Sequence, residues 1–380
     1  MIENLDEGVE IAAMTDHDNI TSYGPAIASL GAWDRITSLD GDEVSINGKG
    51  HFNMFEPTGD AEALYPFIGS KFYSGKTVPQ VFEAIRAIEG VRVIQMNHPR
   101  SFDAYLSWIK YDPVTGNVNS SQANMAWDFD SIEVKDSVGS PGLFTAQSDP
   151  DIQSQAKYGS KDIPVMRDWF SMLNQGMPVC AMGNSDAHNR NDGVGYSRNF
   201  LRLGTDMPSQ ATTTDILDAI LAQRNVVSNG PFLRIMVDDP AGPGLIERMG
   251  HDEMVEPDEG EVVVDVTVSA ATWVNVSRLE VYANGRPVHL KEVLGVLLED
   301  EMAGDTDPLW VPIPLPNTTP GDVERLHTTV HLYPEADTWY VFLVRGAGDL
   351  APVGNGAPFA YTNPLYVDVE GDGTFNAPGL

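Results

Sequence analysis

The hydrophobic pattern of this chain changes near residue 230. Before that point, apolar runs of strand length alternate with segments whose apolar positions recur at helical spacing. Ile11–Met14, Ile36–Glu43, Val91–Met96, Phe129–Val134 and Pro178–Met182 read as strands, and Leu201–Gly204 as a short one. Val81–Ile88 reads as a helix, with Pro79 suited to its first turn and Gly90 to its stop. Ile163–Asn174 and Thr214–Arg224 read as two more helices, the second led in by a threonine run that can cap it. This alternation predicts a parallel sheet with crossover helices, and polar residues at several strand ends make a barrel the expected closure. From about 231 onward the pattern is all-β. Val262–Val268, Leu279–Ala283, His327–Tyr333 and Trp339–Arg345 are rich in β-branched and aromatic residues, and Asn284-Gly285 is a hairpin turn. Only Leu290–Leu298 keeps a trace of helical spacing there. The expected organisation is an α/β barrel over 1–230 followed by a sandwich-like β-domain over 231–380.

The polar residues at the strand ends carry the chemistry. Ile11–Met14 runs into Thr15-Asp16-His17-Asp18, and the Ile36 run ends at Asp42-Glu43, followed by Gly50-His51. Val91–Met96 runs into Asn97-His98-Pro99-Arg100, and Pro178–Met182 into Ser185-Asp186-Ala187-His188. Every histidine before residue 190 therefore lies at or beside a strand end. Imidazole nitrogen and carboxylate oxygen together are what a divalent transition metal takes at neutral pH. Asp16, His17, Glu43, His51, His98, Asp186 and His188 are too many ligands for one ion and suit two or three, with Glu43 placed to bridge. Two such ions hold a hydroxide between them, so hydrolysis is the natural reaction class. Arg100 and Arg190 follow two of the ligand loops and could hold an anionic oxygen of substrate, with ordinary surface salt bridges an equal expectation. Glu133 ends a strand, where a structural role is the better expectation. Asp368-x-Glu370-x-Asp372-Gly373 has the opening of a calcium loop without a matching downstream Glu, and reads as an acidic turn.

Taken together, Thr15-Asp16-His17, Gly41–Glu43, Gly50-His51, Asn97-His98-Pro99 and Ser185–His188 resemble the PHP (polymerase and histidinol phosphatase) metallohydrolases, most nearly the CehA/McbA-like branch. Asn229-Gly230-Pro231 leading into a β-domain, and the ending Thr362-Asn363-Pro364, are similar to that branch too. The resemblance implies a distorted (β/α)7 barrel with two to three divalent ions, zinc, manganese or iron. It implies that Glu43 bridges two metals, that His51 and His98 complete the second site, that Asp186 binds the first metal, and that His17 and His188 bind the third. Such proteins open on a strand ending in His-x-His, and no histidine precedes His17 here. The expectation is therefore a piece of a longer chain whose first strand lies upstream. The function expected is a metal-dependent hydrolase in which metal-bound hydroxide attacks an ester, first of all a phosphoester. The alternative is a non-catalytic binding protein, with a degraded barrel and a β-domain that takes a glycan or partner.

Composition narrows the partners. The chain has 380 residues and a formal net charge of -32, with 55 acidic against 23 basic side chains. That charge argues against nucleic acid, which needs a basic face. It suits a salty setting where self-repulsion is screened, although solvated acidic faces are the plainer reading. A periplasmic or extracellular location is expected ahead of a cytoplasmic one, with any signal peptide lying upstream of the given start. The hydrolase reading implies a small-molecule ester as substrate, and no apolar run is long enough for a membrane span. The single Cys180 sits in an apolar run, so no disulfide framework exists and a buried thiol is expected.

Overall fold

A computed structural model describes residues 1–59, 64–100, 104–118, 124–134, 165–189, 192–239, 244–300, 310–313, 323–348, 350 and 356–380. Its first half contains, in order, α1 (Ile2–Asp6), β1 (Ile11–Met14), α2 (Gly24–Leu30), β2 (Thr37–Ile46), β3 (Gly50–Phe55), α3 (Val78–Arg86), β4 (Ile94–Met96), α4 (Tyr105–Ile109) and β5 (Ser131–Glu133). It continues with α5 (Val165–Asn174), β6 (Cys180–Met182), β7 (Arg198–Leu201), α6 (Thr213–Leu221) and β8 (Asn225–Ser228). The caps explain two helix starts. Thr77 ahead of α3 and Thr212 ahead of α6 each accept from the backbone three residues on, and Gln80 and Asp215 return the bond.

The expected (β/α)7 barrel is not what forms. Strands β1 to β6 make one six-stranded sheet in sequence order. β1–β2, β4–β5 and β5–β6 are parallel, while β2–β3 and β3–β4 are antiparallel. The physical reason lies in the link between β2 and β3. Asn47-Gly48-Lys49 turns the chain straight back, with Gly48 at φ 68° and Gly50 at φ 109°. A parallel crossover needs about a dozen residues or more, so this link allows only a hairpin. At the other side of the sheet, side chains rather than a strand cover β6. Ala181 N–H donates to Asn363 Oδ1 at 2.8 Å, and its carbonyl accepts from Asn225 Nδ2 at 2.8 Å and Asn363 Nδ2 at 3.0 Å. Among the described residues strands dominate and the helices are few, which is the composition of a mixed open sheet rather than of a barrel ringed by helices.

The second half holds two further sheets. One runs Gly244–Ile246, Phe232–Asp239, Val262–Ser269, Glu324–Leu332, Val296–Glu299 and Leu290–Val293. The other runs Arg286–Pro287, Val276–Ala283, Thr338–Gly346, Phe359–Thr362, β8 and β7, so two strands that precede residue 230 complete it. Val262–Ser269 alternates buried and half-buried positions, the period-two signature of a strand with one face inward. Val264, Val266, Val281, Phe342 and Val344 lie in the shared core between these sheets. Leu290–Leu298, with its trace of helical spacing, is instead a hairpin turned at Leu294 and Gly295, both at positive φ. A separate core joins β2–β5, α3 and α5 to Tyr282, Trp339 and Tyr361 of the second half. There Phe170 on α5 packs on Trp339 at 4.9 Å between ring centroids, and the Trp339 indole donates to Asn174 at 2.9 Å. No helix among the described residues is long and apolar enough to cross a membrane.

Candidate metal centre

Strand β2 projects Asp42 and Glu43 to opposite faces, as successive strand residues must be. Both are buried, yet they behave oppositely. Burial, with the nearby charge of Asp18, pushes the Asp42 carboxyl up to about 8, although backbone N–H groups of Asn19 and Asp18 draw it partly back. Burial also acts to raise Glu43, but hydrogen bonds from His51, His98 and Asn97 overcome it and hold that carboxyl well below the usual range. Glu43 is thus the ionised member of the pair, on the face where the histidines gather.

The histidines come from separate segments and meet at this carboxylate. His17 Nδ1 lies 3.3 Å from Glu43 Oε2. His51 Nδ1 lies 3.2 Å and His98 Nε2 3.4 Å from Glu43 Oε1, and the two ring nitrogens are 3.1 Å apart. Ligands about 2.1 Å from a tetrahedral ion are separated by about 3.4 Å, so this triangle has the edges of a ligand set. His17, Glu43 and His51 likewise offer donor atoms that all fall within 4.8 Å of one another. One carboxylate oxygen faces His17 and the other faces the His51–His98 pair, which is the disposition of a bridging group. The donor set and its spacing fit divalent ions.

The surroundings fix these rings. Ser45 Oγ donates to the Glu43 backbone carbonyl at 3.0 Å and is hydrogen-bonded to His17 Nδ1 at 2.6 Å. His98 stands at φ 27° and Asp186 at φ 51°, left-handed conformations that cost energy in a non-glycine residue. Glu133 holds the first of them in place by accepting from His98 N–H at 2.7 Å. Burial disfavours a charged His98, but the bond to Glu43 and the charges of Glu133, Glu43 and Asp186 outweigh it and raise its pKa. Behind the cluster, Asn97 donates to Glu43 at 3.0 Å and to Asn53 at 2.7 Å, and accepts from Gln95 at 2.8 Å. Gln95, Asn53 and Ser45 are positioning residues that sequence reasoning missed. Their signal is weak, since polar side chains on apolar strands stand out only once their shared face is known.

The other expected ligands lie farther out. His188 sits with its ring 6.1 Å from that of His17, and it is exposed. Its loop is held by Asp192, which accepts from the backbone of His188 at 2.7 Å and of Asn189 at 2.9 Å. Asp186 is likewise exposed, 3.8 Å from His188 Nδ1. Asp16 is tied to the cluster through its backbone carbonyl, which accepts from Glu43 N–H at 3.1 Å. Arg100 corrects the expectation of a substrate-binding arginine. Its Nε and Nη2 bond Asp168 at 2.8 and 2.5 Å, and Nη2 also bonds the Tyr111 carbonyl at 2.8 Å, all in the interior. Arg190 lies outside the described residues. The acidic turn near the end is closed by its own backbone, with Asp368 accepting from Gly371 and Gly373 at 2.8 Å each.

A cavity of about 870 Å³ opens from the cluster, lined near it by His17, Glu43, His98 and His188. Comparison with protein-family models, curated proteins and solved structures finds no match for this chain.

Proposed function

We propose that this protein is a metal-dependent hydrolase of a small-molecule ester, in the first place a phosphoester, with a ligand set of the PHP metallohydrolase kind. The observation that carries the reading is the convergence of His17, His51 and His98 on the two oxygens of one ionised, buried carboxylate, Glu43. Isolated imidazoles gathered this closely around a carboxylate, at the mouth of a cavity, are hard to explain as core packing alone. His51, His98 and Glu43 would hold one divalent ion, and His17 with Glu43 a second, with His188 and Asp186 in reach of the open side. Bound there, such ions supply Lewis acidity, polarising an ester oxygen and acidifying water.

The chain's own residues do the rest. Asn97, itself anchored on Asn53, holds the Glu43 carboxylate, Ser45 hydrogen-bonds the His17 ring, and Glu133 fixes the backbone on which His98 stands. The test is metal analysis of the purified protein beside turnover of p-nitrophenyl phosphate and p-nitrophenyl acetate after loading with zinc, manganese or iron. The expected result is more than one equivalent of metal and turnover of at least one ester. Glu43→Gln should lose both, and Asn97→Ala should weaken metal affinity by about 10–100-fold. Substoichiometric metal with no turnover would overturn the reading in favour of a binding protein.

A further inference from the structure

We infer that the alcohol released by this site is uncharged and aromatic, and that Phe200 and Phe232 seat it. This deepens the hydrolase reading and rests on it for the reaction, but not for the seat itself. Phe200 lies on β7 and Phe232 at the start of the strand Phe232–Asp239, and both line the cavity that opens from the metal centre. Their rings meet edge to face at 5.2 Å between centroids, yet they are 37% and 42% exposed. Met207 also lines the cavity and is exposed as well. Large apolar side chains left wet inside a concave site mark a surface that a ligand covers, and an edge-to-face pair accepts a third ring without rearrangement.

The charges of the wall point the same way. Four arginines line the cavity, and each is already engaged by the protein's own acids. Arg198 bonds the Glu7 carbonyl at 2.8 Å and pairs with its carboxylate at 4.0 Å. Arg202 is held by Glu253 and the Glu247 carbonyl, Arg224 by Asp252, and Arg234 by the Glu247 carboxylate. Glu10 and Asp206 add negative charge to the lining. A carboxylate or second phosphate on the leaving alcohol would be desolvated there against committed cations and nearby acids, which is costly. The anionic, reacting end of the substrate belongs at the histidine cluster, and the neutral ring belongs on the phenylalanines.

Side-chain bonds tie the strand of Phe200 to the loop that carries Asp186 and His188. Asn199, beside Phe200 on β7, donates to the Gly183 carbonyl and accepts from its N–H, both at 2.8 Å. Gly183 opens the loop that carries Asp186 and His188. The hydrolysis itself is balanced by water alone: its oxygen bonds to phosphorus, the bond from phosphorus to the aryl oxygen breaks, and the released oxygen takes a proton.

Two measurements test the seat. In the metal-loaded enzyme, kcat/KM for phenyl phosphate should exceed that for 3-carboxyphenyl phosphate by about tenfold or more, and Phe200→Ala and Phe232→Ala should each lower the phenyl value at least about fivefold. In chelator-treated protein, 4-methylumbelliferone at pH 6, where it is uncharged, should bind with a fluorescence change. Each substitution should weaken that binding by about fivefold. Phe232→Leu, which keeps an apolar side chain, guards against a folding defect and should fall between wild type and Phe232→Ala. Binding without turnover of any ester would keep the seat and sink the hydrolase reading. Turnover with no preference for the uncharged alcohol, or dye binding indifferent to both substitutions, would overturn the seat and leave the hydrolase reading standing.

Discussion

Arg100 illustrates how a residue beside a ligand motif can belong wholly to the interior. It follows His98-Pro99, yet its guanidinium is turned away into a buried pair with Asp168. Removing one member of such a pair leaves the other charge stranded, which costs about 3–5 kcal/mol. Arg100→Met is therefore expected to lower the urea midpoint strongly, and a variant with wild-type stability but lost substrate binding would reverse the assignment. His251 gives the pH dependence. Burial lowers its pKa, with the neighbouring Arg224 charge adding to that and Asp252 opposing it. A depressed pKa means that the neutral ring is the form the fold prefers. Its contribution is complete above about pH 6.5, the unfolded value, and is lost as pH falls through the folded one. Stability measured by urea denaturation from pH 8 to 5 should fall less steeply in His251→Gln, and parallel curves would show that the ring is indifferent. At this scale the sequence was informative about donors and silent about their supports. His17, Glu43, His51 and His98 are legible because imidazole at a strand end is rare. Asn53, Gln95 and Ser45 are ordinary polar residues until the sheet puts them behind the carboxylate.

Strand β6 shows what an element owes to distant side chains. Its outer edge is covered by amides from Asn363 and Asn225, which bond Ala181, while Asn199 bonds Gly183 just beyond it. Primary amides carry a donor and an acceptor at the spacing of a peptide group, so they satisfy a strand edge as another strand would. Asn363→Ala would leave the buried Ala181 N–H without its partner, at a cost of about 1–3 kcal/mol. Thermal unfolding should show that loss, and an unchanged midpoint would mean that water replaces the amide. Among the elements, the strands of the second half lie close to where the sequence puts them: Val262–Ser269 alternates as a half-buried strand does, and Thr338–Gly346, buried along nearly its whole length, is marked by its β-branched and aromatic residues. The hairpin of β2 and β3 was also written in the chain, as Asn47-Gly48, but its meaning for strand direction goes unread when attention is on Glu43 and His51 on either side.

Across the whole molecule, the two halves of the chain share both a sheet and a core. β7 and β8 precede residue 230 and pair into the sheet that otherwise belongs to the later strands. Phe170 of α5 packs on Trp339 in a core that takes residues from both sides. Alternation of strand and helix suggested closure into a barrel, and the open mixed sheet overturns it, since direction is set by the links between strands rather than by their order. What the sequence determined by itself was local: which runs bury a face, where turns and caps fall, and which strand ends hold imidazole or carboxylate. These follow from side-chain chemistry and spacing within a few residues. Tertiary structure alone decided which strands from the two halves of the chain share a sheet, the capture of Arg100 by Asp168, and the meeting of three imidazoles on one carboxylate. Those depend on contacts between residues far apart in the chain, where the hydrophobic pattern says that a side chain is buried but not what it is buried against.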